Sequence, residues 1–299
     1  MRKQAVLLAL AAALTWVLPA AAWWPKGHGI LARAAVRALP RTMPAYFREG
    51  GSLVAHVSED PDVAKNRDAP HVSDQESPEH FFNAELLQGR PLPETRYQFL
   101  KLCAEAKLDP KEVGLLPYAV TEWTERLAVA FAEHRRWPDN PHIRTKTLVY
   151  AGFLAHYAGD LEMPLHTTIH HDGRVPPGGK SPRSGIHARV DSLPEKLGLN
   201  PKELAKGVRP AAAAEVMPFV LRELEASRAQ VDRVYALEAQ LPPERGDWPP
   251  SPEIRAFTRE RAAAATRFLA SLYLTAWEKS ATIRLPEWLD RTETPAATR

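Results

Sequence analysis

The chain has 299 residues, 44% of them hydrophobic and 25% charged, with 39 basic against 36 acidic side chains. That balance is ordinary for a globular protein and excludes a disordered chain, a collagen-like repeat and a multi-span membrane protein. A net charge of +3 is too small for bulk electrostatics to gather nucleic acid, so any polyanion site has to be local. Cys103 is the one cysteine. Neither an intrachain disulfide nor a CxxC metal site can exist, and a metal centre has to draw on His, Asp and Glu.

In chain order, Arg2 and Lys3 precede an apolar run from Ala5 to Leu18, and Ala20-Ala21-Ala22 supplies a small-residue exit. This is the pattern of a secretory signal peptide over 1–22, too short for the roughly 20 residues of a membrane span. The expectation is cleavage after Ala22, a mature chain over 23–299 that starts at Trp23 with no transmembrane anchor, and a secreted or periplasmic protein. Helical periodicity dominates the rest. Leu31, Ala35 and Leu39 mark a first amphipathic helix, and further helices are predicted from Pro117 to Arg136 and from Thr145 to Leu161. Val220, Leu224, Val231, Val234, Leu237 and Leu241 continue one helical stripe, and Ile254, Phe257, Ala264, Phe268 and Leu272 another. Pro61 to Thr95 and His170 to Ser184 read as loops. With no alternating strand run, the fold class is all-α, a single helical domain with long loops.

Two of the 11 histidines stand four residues before an aspartate: His156 before Asp160, and His187 before Asp191. On a helix that spacing puts both side chains on one face, and a shared metal ion suits the pair. No formal charge lies between Lys146 and Asp160. A helix so apolar should be buried, and an unpaired carboxylate inside it would cost several kcal/mol or be forced neutral. Asp160 therefore needs a partner: a metal, or His156 alone in a hydrogen-bonded core pair. Pro164 ends the helix and returns His166 towards it. His80 lies beside aromatics upstream, and His28 follows the freed Trp23 amine by five residues. An α-amine has an ordinary pKa of roughly 7.7–8.0, low enough for a metal to deprotonate it.

These motifs resemble the superfamily of zinc-dependent phospholipase C and single-strand-specific nucleases of the S-one/P-one type. Trp23 and His28 match its N-terminal pair; His156, Asp160 and His166 match its HxxxD-x5-H signature; His187 and Asp191 match its later HxxxD; and His80-Phe81 matches its His-Phe element. Departures include Met163 for a usual glutamine, Gly185-Ile186 ahead of His187, Val190 for a tryptophan and Asn83 for an aspartate. The resemblance implies an all-α enzyme with three Zn2+ ions. Asp60, chosen over Asp62 and Asp68, would bind one with His80 and His156. The Trp23 amine and carbonyl with His28 would bind a second, Asp160 would bridge these two, and His166, His187 and Asp191 would bind the third. Asp60 and Asp160 carry the catalytic expectation, Asp60 by orienting an attacking zinc-bound hydroxide. Phe81 and Arg189 are expected to contact substrate.

The implied activity is a zinc-dependent phosphodiesterase. The spacing from Trp23 to His28 favours a nuclease cleaving single-stranded DNA or RNA to 5′-phosphates. The alternative is a phospholipase C acting on phospholipid head groups, and a third reading is a non-catalytic zinc-binding helical protein. No stable protein partner is implied. If the freed amine is a ligand, a form keeping one residue ahead of Trp23 is expected to bind one zinc ion fewer. Metal analysis of cleaved and uncleaved protein checks this, and equal zinc contents would refute it.

Overall fold

The computed structural model describes residues 24–243 and 246–292. The expected signal segment and Trp23 lie outside them. The described chain opens with α1 (Pro25–Arg37), α2 (Ala45–Glu49), α3 (Gly51–Val57), α4 (Asp60–Ala64) and α5 (Pro70–Glu76). Next come α6 (Arg96–Ala106), α7 (Pro110–Val113), α8 (Leu116–Arg136) and α9 (Pro141–Glu162), then α10 (Ile186–Asp191), α11 (Leu193–Lys196) and α12 (Pro201–Ala205). The chain ends with α13 (Val216–Arg228), α14 (Val231–Ala236) and α15 (Pro252–Lys279). Among the described residues there is no strand, only an isolated bridge between His171 and Gly173, and no helix is long and apolar enough to cross a membrane.

The long helices start where local chemistry dictates. Asn140 accepts hydrogen bonds from the backbone N–H groups of His142 and Ile143, and Pro141 opens α9 with its φ already set. Ser251 and Pro252 do the same for α15, and Thr95 with Gln98 forms a capping box on α6. Two of the expectations need correcting. The stripe from Val220 to Leu241 is not one helix: it breaks after Arg228 and resumes as α14 and a short 3-10 turn, although the apolar phase continues across the break. The stretch from Pro61 to Thr95 holds most of α4, all of α5 and two 3-10 turns rather than a plain loop. These helices are too short, and α5 too fully surface-lying, to leave an apolar period in the sequence.

Helices α8, α9 and α15 form the centre of the larger core, with Phe47, Phe131, Tyr157 and Tyr273 among its buried aromatics. A smaller core lies beneath α10 and gathers Leu31, Met163, Leu165, Ile186, Val190, Ile254 and Phe257. Helix α1 serves both, giving Ala32 and Ala35 to one and Leu31 and Ala34 to the other. His28, in the first turns of α1, is therefore held at the junction. A buried ion pair from Arg261 Nη2 to Glu162 Oε2, 3.0 Å long, ties α15 to the end of α9, two residues past Asp160.

Helix α9 approaches α3 closely enough that Gly152 has no room for a side chain. A Cβ there would stand 2.5 Å from Val57 Cβ and 3.0 Å from the Val54 carbonyl oxygen. Gly152→Ala gains about 1 kcal/mol of helix propensity, whereas overpacking of this kind costs roughly 1–3 kcal/mol. The clash meets a β-branched side chain and fixed backbone, so the packing cost is expected to win and the melting temperature to fall. An unchanged or raised melting temperature would show that α3 yields freely.

Candidate metal centre

Eight of the residues nominated from sequence or adjacent to them come together at the junction of the two cores. Three groups have ligand atoms mutually within 4.8 Å: His28, Asp62 and His156; His80, His156 and Asp160; and His166, His187 and Asp191. They belong to α1, α4, the 3-10 turn at 77–80, α9, the 3-10 turn at 164–167, and α10. His28, His156, Asp160 and Asp191 are fully shielded from solvent.

Several local devices bring these side chains in. In α9 the four-residue spacing sets His156 Nε2 3.3 Å from Asp160 Oδ2, and in α10 it sets His187 Nε2 3.1 Å from Asp191 Oδ2. Pro164 stops α9, Met163 turns extended, and its sulfur accepts the Leu165 N–H at 3.0 Å, which rolls the chain into the turn bearing His166. The His80 strand of loop is laced on both sides: Phe82 N–H donates to the His166 carbonyl at 2.7 Å, and Leu115 N–H to the Pro78 carbonyl at 2.7 Å. Gly114, with φ at +91°, permits that approach, since a Cβ there would lie 2.1 Å from the Phe81 carbonyl oxygen.

Hydrogen bonding fixes which ring nitrogen of each histidine faces the centre. A carbonyl oxygen only accepts, so a ring nitrogen bonded to one must carry the proton. His156 Nδ1 donates to the Ser58 carbonyl at 2.8 Å, His166 Nδ1 to the His80 carbonyl at 2.5 Å, and His187 Nδ1 to the His171 carbonyl at 3.2 Å. In its neutral form each of the three rings then aims an Nε2 lone pair inward. His166 Nε2 and His187 Nε2 face each other at 3.0 Å. Two lone pairs at that distance repel unless a cation or a proton lies between them.

The carboxylates present the same demand. Asp191 Oδ1 and Oδ2, Asp62 Oδ2, Asp160 Oδ1 and both nitrogens of His28 are buried without a hydrogen-bond partner, while Asp62 Oδ1 meets the Lys65 ammonium. Three aspartates facing five imidazoles leave a net negative charge in a dry site whenever the rings are neutral. Burial drives His28 and His166 down to about 3, so both are neutral donors at ordinary pH. Burial pushes Asp191 up to about 6 against the pull of His187. For Asp160 burial acts upward too, but the surrounding His156 and His166 rings overcome it and hold the carboxyl well below the usual range. Orphaned lone pairs, paired nitrogens and carboxylates within 4.8 Å make a donor set that fits divalent ions taking nitrogen and oxygen ligands.

Three placements differ from the sequence expectation. Asp62, not Asp60, is the α4 aspartate that enters the centre: its Oδ1 lies 3.8 Å from His80 Nδ1 and 3.9 Å from His156 Nε2. Asp60 begins the helix, Pro61 is buried, and Asp62 follows in the same turn. Arg189 does not face the cleft. Its guanidinium donates to the carbonyls of Glu238, Leu241 and Pro242 at 2.9–3.1 Å and ties down the turn after α14. Trp23 lies outside the described residues; the next residue, Trp24, donates its N–H to the Asp191 carbonyl at 3.3 Å. Phe81 is half-buried and lines a cleft of about 390 Å3 whose walls include His80, His166, His187, Lys65, Arg67 and Asn83.

Sequence reasoning missed Glu76 and Tyr157. Glu76 Oε1 stands 3.4 Å from His80 Nε2 and accepts the Tyr157 hydroxyl. On its other side His80 Nδ1 faces Asp160 Oδ2, 3.1 Å away. Burial, with Glu76 beside it, pushes the Tyr157 phenol up and keeps it a donor. The signal was present: Glu76 precedes His80 by four residues, the reverse order of the two His–Asp pairs. Lys65, three residues after Asp62 and 2.5 Å from its Oδ1, was likewise legible as a helical ion pair.

Asp62→Asn is expected to lower the bound-metal content and weaken metal affinity by about 10–100-fold, a range typical even of supporting residues. Asp60→Asn is expected to leave both unchanged. Metal titration of the two variants checks the assignment, and the opposite ranking would restore Asp60.

No protein-family model and no curated protein matches the chain. Among solved structures, an alpha toxin from Clostridium absonum is similar, with a TM-score of 0.47 and 11% sequence identity over 87% of this chain. The match takes in 65% of the toxin's own chain.

Proposed function

We propose that this chain is a zinc-dependent hydrolase of phosphodiester bonds. The observation carrying the proposal is the meeting of His166 Nε2 and His187 Nε2 at 3.0 Å, both with their other nitrogen committed to a carbonyl. Zinc fits the nitrogen and carboxylate donors. His80, His156, Asp62 and Asp160 would hold one ion, with Asp160 shared towards His28, whose Nε2 is 3.4 Å from Asp160 Oδ1. His166, His187 and Asp191 would hold another. Bound there, zinc supplies Lewis acidity at a phosphoryl oxygen and acidity to water.

The chain's own residues do the rest. His80, His166 and His187 form part of the cleft wall, so the donor set opens onto a space that admits a ligand. A purely structural zinc is closed off by its protein ligands, and this opening supports catalysis over the non-catalytic reading. Lys65 and Arg67 bring positive charge to the same wall, where a phosphodiester's oxygens would lie. Asp62 holds the Lys65 ammonium beside the centre. The carbonyl anchors on His156, His166 and His187 keep the rings from turning and exclude the competing tautomer.

Two substrate classes share this chemistry, and each draws on a specific feature. Single-stranded nucleic acid is supported by Phe81, whose ring borders the cleft, and by Arg67; stacking of a base on an aromatic ring is worth roughly 1–3 kcal/mol. Phospholipid is supported by Val63 and Val72, 68% and 49% exposed on α4 and α5, the helices that carry Asp62 and Glu76. Export of the mature chain remains part of this proposal, on the pattern of residues 1–22.

One screen tests it. Purified protein loaded with zinc is incubated with single-stranded DNA, RNA and phosphatidylcholine vesicles, then stripped with chelator and reloaded. Hydrolysis of at least one substrate, lost with chelator and restored by zinc, is expected. Release of product from none of them would sink the enzymatic reading, and activity indifferent to chelator would sink the metal.

A further inference from the structure

A second groove, of about 840 Å3, runs between α12 with its flanking turns and α15, and shares no lining residue with the metal cleft. Its floor is aliphatic. Leu204 is buried there, and Leu197, Leu199 and Val208 are half-buried. Leu197, Leu199 and Leu204 also pack on the smaller core, so the floor is anchored from below.

The rim is cationic. Lys206, Arg209, Arg259 and Arg267 all line the groove and are all exposed, with Glu203 the one acidic side chain among the lining. Arg259 and Arg267 flank Ala263 along α15, separated by roughly 12 Å of helix axis. Lys26, Arg228 and Arg233 pair with Glu195, Glu225 and Glu260, whereas Lys196 and Lys202, beside the lining, make no ion pair among the described residues. Four cations of the described residues gather around a single concavity; Arg267 also acts electrostatically on the buried Glu162, and Lys206, Arg209 and Arg259 are outside ion-pair distance of any described carboxylate.

An apolar floor under a basic rim selects a ligand with a hydrocarbon body and an anionic head. Inorganic phosphate would leave the floor wet. Single-stranded nucleic acid relies on aromatic stacking, and no aromatic side chain lines this groove. The volume lies within the roughly 300–1,000 Å3 typical of sites for small organic ligands. Arginine suits a phosphate head, because its planar donor fork meets two oxygens at once.

We propose that the groove between α12 and α15 binds a phosphate-headed, single-chain amphiphile, with Arg259 and Arg267 on the head and the Leu197, Leu199 and Leu204 floor under the chain. Its occupancy is separable from phosphodiester hydrolysis, since the two sites share no side chain.

The test titrates the full chain with dodecyl phosphate below its micellar concentration, beside dodecyl maltoside, inorganic phosphate and a short oligothymidylate. One dodecyl phosphate per chain is expected, bound at least about tenfold more tightly than any of the other three. Joint substitution Arg259→Gln and Arg267→Gln is expected to weaken it by about tenfold or more, as is Leu199→Asp, while Lys111→Gln leaves it unchanged. Both arginines are exposed, so an unchanged melting temperature shows that the double variant folds. Dodecyl phosphate binding that survives the double substitution would place it elsewhere, the metals included, and overturn the proposal. Equal affinity for inorganic phosphate would overturn it as well, as would oligothymidylate binding that is lost with the arginines.

Discussion

The structure is organised around an electrostatic demand in a dry interior. Asp62, Asp160 and Asp191 turn towards one another's neighbours at the junction of two apolar cores, and the imidazoles around them point lone pairs into the same space. Leaving even one buried ion uncompensated costs several kcal/mol. Much else follows from that demand. Helix α9 carries no charge between Lys146 and Asp160 because it runs through the packed centre, and α1 is apolar on two flanks because it must seal both cores beside His28.

The anchoring of the rings also couples the groups to each other. The carbonyl that fixes His166 belongs to His80, itself a donor of the neighbouring group. The carbonyl that fixes His156 belongs to Ser58, at the entry to the helix that carries Asp62. A shift of one donor therefore reaches the next through a peptide unit as well as through Asp160. The Glu76–Tyr157 pair extends this support outward from His80 to the wall of α9.

Much of this was legible in the sequence, and the failures have physical causes. A 3.6-residue apolar period located α1, α8, α9 and α15, because those helices are long enough to have a buried stripe. The helices α4 and α5 have five and seven residues and bury little, so no period betrays them. The HxxxD pairs were readable because one helical turn brings both side chains to the same face. Arg189 failed by the same rule: two residues from His187 and from Asp191, it leaves the helix on the opposite side and meets the 238–242 carbonyls. Asp60 and Asp62 flank one proline in a single turn, and residue type alone does not distinguish which carboxylate faces the centre. The carbonyl anchors on the rings carry no residue signature at all, since any amino acid supplies a carbonyl.

The donors are far apart in sequence, with His28, Asp62, His80, Asp160 and Asp191 drawn from separate stretches of the chain. With Cys103 as its lone thiol, this chain has no covalent staple. An ion seated among those donors would close several long loops at once, as a set of crosslinks does, by restricting the unfolded ensemble. Chelation would then loosen the whole molecule rather than merely silence a cleft, and the supply of metal would govern how long the folded chain survives.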